Sequence, residues 1–140
     1  MKKIKYLGIV LLILLSFSSC SFFQNPKILL LDAKTAAGVD EKYQPVNAMD
    51  VFPDGTSKVY LWFSWRDAQK NLQLLAKWKY LTEDINILDY PFNVPRRKGQ
   101  GSVALMMPAG KAFPQGLYQV TLYLGQRELR TVSFKVGENE

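Results

Sequence analysis

The chain has 140 residues, with 18 Lys and Arg against 12 Asp and Glu, one cysteine and no histidine. Zinc sites of the His/Cys kind, histidine general bases and Cys–His or Ser–His dyads are thereby excluded, as is any disulfide within the chain. The length suits one domain that holds itself together by burying a core.

The first residues read MKKIKYLGIVLLILLSFSSC. Lys2, Lys3 and Lys5 form a basic start, Gly8–Leu15 a short apolar run, and Ser16–Ser19 a mostly small segment before Cys20. This is the layout of a secretory signal over residues 1–19. A spanning helix needs about 20 apolar residues, roughly twice the unbroken run here. The Ser18-Ser19-Cys20 ending resembles the lipobox of bacterial lipoproteins, with Phe17 where leucine is usual. The resemblance implies that Cys20 is lipidated and becomes the mature N-terminus. An uncleaved anchor, or an ordinary cleaved signal leaving a free thiol, are the competing readings. Each buried methylene contributes about 0.8 kcal/mol, and one myristoyl-length chain binds only reversibly. A cysteine carrying three chains, as the resemblance implies, would not detach. Ser21 stands where aspartate often signals inner-membrane retention, which favours outer-membrane sorting. Losing residues 1–19 removes three lysines and leaves 15 basic and 12 acidic groups. Nucleic-acid binding is therefore not expected, whereas a mild attraction to anionic lipid or lipopolysaccharide is.

Residues 20–26 form a tether, and seven residues extend to at most about 25 Å. Lys27–Ala36 has the apolar density of a first strand. A long connector follows, with a short edge piece near Val46 or Met49, and Pro53-Asp54-Gly55 marks a turn. Lys58–Arg66 is the clearest strand: Val59, Leu61, Phe63 and Trp65 alternate with Tyr60, Trp62 and Ser64. Leu72–Leu81 fits two periods. Leu72, Leu74, Ala76, Trp78 and Tyr80 alternate as in a strand, while Leu72, Leu75, Ala76 and Lys79 suit a helix capped by Asp67; the all-β surroundings favour the strand. Asp84–Tyr90 reads as a further short strand and Pro91–Gly101 as a loop. Strands then cover Ser102–Met107, Leu117–Leu124 and Glu128–Val136, with Val103, Leu105, Tyr118, Val120, Leu122 and Phe134 among the inward residues. Residues 138–140 are a polar tail. About seven short strands at this spacing predict an all-β sandwich over residues 27–137.

The order of landmarks resembles the immunoglobulin-like and fibronectin type III-like domains of bacterial envelope proteins. Trp65 at the end of one strand, Trp78 central in the next, and Pro114-Gln115-Gly116-Leu117-Tyr118 opening the penultimate one carry the likeness. The last stretch looks like the P-x-G-x-Y corner of such modules. That implies a Tyr118 hydroxyl bonded back to main chain with its ring packed inside. These motifs belong to the fold and name no activity.

Two features are candidates for contact. Tyr60 and Trp62 fall on the face opposite Val59, Leu61 and Phe63, and such an aromatic pair is a candidate partner surface unless a loop or the first strand covers it. Arg96, Arg97 and Lys98, in a loop bounded by Pro and Gly, are candidates for contact with headgroup phosphates, lipopolysaccharide or an acidic partner; a merely solvated loop is the plainer reading. Met106 and Met107 read as sheet packing. Asp40-Glu41 and Glu83-Asp84 are adjacent carboxylates that read as loop charge rather than as an acid–base pair. No metal or cofactor is expected. The expectation is a lipid-anchored envelope protein whose sandwich is a non-catalytic binding or assembly module, engaging another envelope protein near the membrane. A surface-exposed adhesin-like lipoprotein and a carboxylate-based hydrolase are the alternatives.

Overall fold

Period-two alternation sets the strands, and a computed structural model describes residues 26–138 of the chain. Nine strands follow in order: β1 (Leu29–Val39), β2 (Pro45–Ala48), β3 (Val51–Phe52), β4 (Lys58–Arg66), β5 (Gln73–Tyr80), β6 (Ile85–Asn93), β7 (Gly99–Met106), β8 (Gly116–Leu124) and β9 (Arg127–Val136). They form a four-stranded sheet, β2-β1-β4-β7, and a five-stranded sheet, β3-β9-β8-β5-β6. Every pairing is antiparallel except β3 with β9. The expected signal segment, Cys20 and most of the tether lie outside the described residues.

The core is what the alternation demands. Val59, Leu61, Phe63 and Trp65 of β4 are buried against Leu74, Ala76, Trp78 and Tyr80 of β5 and the inner residues of β8 and β9. Burying each such large side chain contributes roughly 1.5–3 kcal/mol before the entropy of ordering is subtracted. β5 is a strand, not a helix: its even-numbered residues are buried while Gln73 and Lys77 are exposed. A helical turn would have spread those four apolar residues around its circumference.

The corner before β8 matches its expectation. The Tyr118 hydroxyl donates to the Pro114 carbonyl at 2.5 Å. Its ring stacks on Phe134 at 5.1 Å and on Tyr80 at 4.7 Å. Tyr80 makes the same kind of bond, to the Gln115 carbonyl at 2.6 Å. Gly116 has φ 142°, and a Cβ there would come within 2.8 Å of the Tyr80 ring and nearer still to Thr82 Oγ1, so the close packing of β8 on Tyr80 and Thr82 requires glycine.

β2 falls on the short edge piece expected near Val46, and with the two-residue β3 it brings the expected seven or so strands to nine. Two strand boundaries and one packing expectation are corrected. β6 runs on through Pro91 to Asn93, which is possible because β6 is an edge strand with β5 as its one neighbour and a proline N there need not donate. β7 begins at Gly99, and Met106 on it is 68% exposed rather than packed.

Candidate binding site

The loop between β6 and β7 is built backbone first. The Val94 N–H donates to the Leu72 carbonyl at 2.8 Å, and the Arg97 carbonyl accepts from the Ala68 N–H at 2.9 Å. The Arg96 carbonyl accepts from the Trp65 indole Nε1 at 2.9 Å. These bonds pin residues 94–98 to the end of β4 and to the β4–β5 loop, and they leave Arg96, Arg97 and Lys98 with exposed side chains. Their main chain is thus structural while their side chains reach solvent.

The same end of the sandwich collects further cations. Arg66 closes β4, and Lys70 sits exposed in the loop that follows. Asp67, with φ 56°, stands between Arg66 and Arg97 at 3.7 Å from each. Exposed ion pairs of that length contribute little, about 0–1 kcal/mol. The described chain also enters here: the Lys27 carbonyl accepts from the Gln69 N–H at 3.1 Å, and Leu29 pairs with Arg66. Lys27, Arg66, Lys70, Arg96, Arg97 and Lys98 therefore crowd one end, with Asp67 the acid among them. The nearby β8–β9 turn adds Arg127 and Glu128, which offset each other. The loops at the opposite end carry Asp50, Asp54, Glu83 and Asp84, all exposed.

A groove of about 830 Å³ passes the start of β7. Phe63, Trp65 and Phe92 line it together with Arg66, Arg96 and Lys98, and none of its lining residues is acidic. Gly99 and Gly101 lie cross-strand from Trp65 and Phe63. A Cβ at either would meet the Trp65 ring at 3.4 Å, so the bare backbone lets that ring lie across β7.

Tyr60 and Trp62 do not form an exposed pair. Trp62 is 6% exposed and its Nε1 donates to the Tyr43 carbonyl at 2.7 Å. The β1–β2 loop that covers it is held by Asp40, whose carboxylate accepts from the N–H groups of Lys42 and Gln44 at 2.9 and 2.8 Å. Tyr43 adopts φ 58° in this loop, an uncommon conformation for a bulky residue. Lys34 stands over the Trp62 ring and Lys58 over the half-buried Tyr60, at 5.4 and 4.7 Å. Trp62 is a covered outer-face residue, and the expected aromatic partner surface shrinks to part of Tyr60. Residues 40–44 carried no sequence signal for this, because their bond to Trp62 spans nineteen positions.

The carboxylates show no acid–base arrangement. A hydrogen bond from Lys79 holds Asp84 below the usual carboxylate range, and Lys34 does the same for Asp32. Among the described residues no group of three or more Cys, Asp or Glu stands close enough to hold a metal ion.

Comparison with known proteins places the architecture. No protein-family model matches the chain, and no curated protein does. Among solved structures, an immunoglobulin-like protein from Pseudomonas aeruginosa superposes with a TM-score of 0.55 at 11% identity, over 79% of this chain and 96% of that one. The fold is an immunoglobulin-like β-sandwich. A second similar structure is the alkylpurine DNA glycosylase of Pseudomonas fluorescens bound to DNA containing an abasic-site analog. Its TM-score is 0.52 at 11% identity, over 81% of this chain but 31% of the enzyme. At such identity the likeness is one of fold alone.

Proposed function

We propose that this immunoglobulin-like domain is a non-catalytic binding or assembly module of a bacterial envelope lipoprotein, anchored through Cys20 with its basic end toward the bilayer. The observation that carries the reading is the entry of the chain at Lys27 beside the loops of Arg66–Lys70 and Arg96–Lys98. A tether of seven residues reaching at most about 25 Å would hold that end close to lipid headgroups. Cations near an anionic surface contribute on the order of 1 kcal/mol each, within a Debye length of about 10 Å at 0.1 M salt. The hydrogen bond from Lys79 that holds Asp84 ionised argues against Asp84 as the acid of a pair with Glu83.

The chain from Ser21 onward, which has no acyl group, tests the membrane-facing end. It is expected to sediment with phosphatidylglycerol vesicles at low salt and not with phosphatidylcholine vesicles. Replacing Arg96, Arg97 and Lys98 by serine is expected to weaken that binding while leaving the circular dichroism spectrum intact. Binding that is indifferent to the triple replacement would remove the loop from the account.

A further inference from the structure

The sandwich has four edge strands, β2, β7, β3 and β6, and three of them are protected. β2 has four residues and begins with Pro45, and β3 has only two. β6 contains Pro91 and Asp89. β7 differs. Its eight residues, GQGSVALM, hold no proline and no charge, and its register with β4 runs from Lys58↔Met106 to Trp65↔Gly99 without a bulge. Proteins ordinarily blunt such an edge, because half of its N–H and C=O groups point at the open side and can template another strand.

We propose that β7 is a docking edge for an extended, acidic segment of a partner protein, which adds as a fifth strand to the β2-β1-β4-β7 sheet. Charge selects this occupant. Arg66, Arg96, Lys98 and Lys42 line the groove at the start of β7, with no acid among the lining residues. An antiparallel contact between β7 strands of two copies would bring this basic start beside the Met106 end of the other copy, where Lys58 is the paired neighbour. The acid-free basic groove therefore favours the acidic segment, and pairing with a second copy is an outcome that the test separates. Backbone pairing supplies affinity in strand addition, and side-chain positions supply selectivity. Alternate side chains of the incoming strand fall on the inner face beside Gly99 and Gly101, where the Trp65 ring lies across the glycines, and these are to be apolar. The others run past the exposed Ala104 and Met106 and toward the cations. The inference gives the binding-module reading its partner chemistry and does not depend on an anchor at Cys20.

The test uses the full ¹⁵N-labelled chain in neutral detergent with two peptides, EVEFEVE and KVKFKVK. The acidic peptide is expected to bind and to slow amide exchange at alternate residues of Gly99–Met106, and the lysine peptide is not. Arg96→Ser with Lys98→Ser is expected to weaken the acidic peptide roughly threefold to tenfold, the range of two partly exposed charge contacts. Ala104→Glu, at an exposed position, should weaken it by like charge while the circular dichroism spectrum stays unchanged. Equal binding of both peptides, protection away from β7, or no binding would overturn the proposal. So would a concentration-dependent dimer with β7 amides already protected, because a second copy would then hold the edge. Loss of peptide binding with vesicle binding intact would sink the docking edge and leave the membrane-facing reading standing.

Discussion

Tyr118→Phe removes one oxygen and leaves the ring where it is. The phenyl group would stay between Tyr80 and Phe134, at 4.7 and 5.1 Å, with Phe113 edge-on at 5.6 Å. What disappears is the 2.5 Å bond to the Pro114 carbonyl. Losing this part-buried bond, whose acceptor water can reach, costs about 0.5–1.5 kcal/mol. In urea melts at pH 7 the unfolding free energy is expected to fall by that amount, lowering the midpoint with the slope unchanged. A second consequence is confined to alkaline solution. Burial, and after it the nearby Tyr80 and Glu83, push the Tyr118 hydroxyl from its ordinary 10.0 up to about 12. Below pH 10 folded and unfolded chains both keep the proton, so the contribution is intact. Between pH 10 and 12 the unfolded chain releases it while the folded chain holds it, and stability falls as pH rises. The phenylalanine variant has no such proton, so its deficit against the parent chain should narrow from pH 9 to 12. Equal stability at pH 7, or two curves that stay parallel through the alkaline range, would refute the corner as described.

Gly116→Ala should destabilise by roughly 2–4 kcal/mol, because the new methyl would press on Thr82 and Tyr80 from a backbone at φ 142°; thermal unfolding reads this directly, and a loss under 0.5 kcal/mol would mean that β8 is not packed so closely on those side chains. Trp62→Phe should cost about 1–3 kcal/mol through the lost bond to the Tyr43 carbonyl, with faster exchange at the Lys42 and Gln44 amides. If stability and those amides stay as they are, Trp62 is not covered by the loop.

Much of the fold was legible because its signals are local. β4 could be read to the residue, since Val59, Leu61, Phe63 and Trp65 keep period two across it, and the Tyr118 corner announced itself through five consecutive residues. β5 was ambiguous from its own residues, for Leu72 and Ala76 satisfy both periods while Leu74 fits one and Leu75 the other, and its pairing with β6 and β8 decides the matter. Pro91 and Gly99 look like strand breakers, yet each serves an edge. Pro91 sits in a strand with one neighbour, and Gly99 gives way to the Trp65 ring. The basic end was half legible. Arg96, Arg97 and Lys98 stood out as a cluster in sequence, whereas Lys27, Arg66 and Lys70 join them only once antiparallel pairing brings three separate loops together. Trp62 was placed on the right face, but its cover stayed open, because alternation says which face a side chain points to and not whether another segment lies over that face.

The proposed function requires that Cys20, at the start of the tether, be acylated. Mass spectrometry of the N-terminal peptide, taken from the protein isolated from bacterial membranes, tests this most directly. The predicted result is a chain that begins at Cys20 with acyl groups on that residue. A peptide that begins elsewhere, or that carries residue 20 without acyl groups, would contradict it.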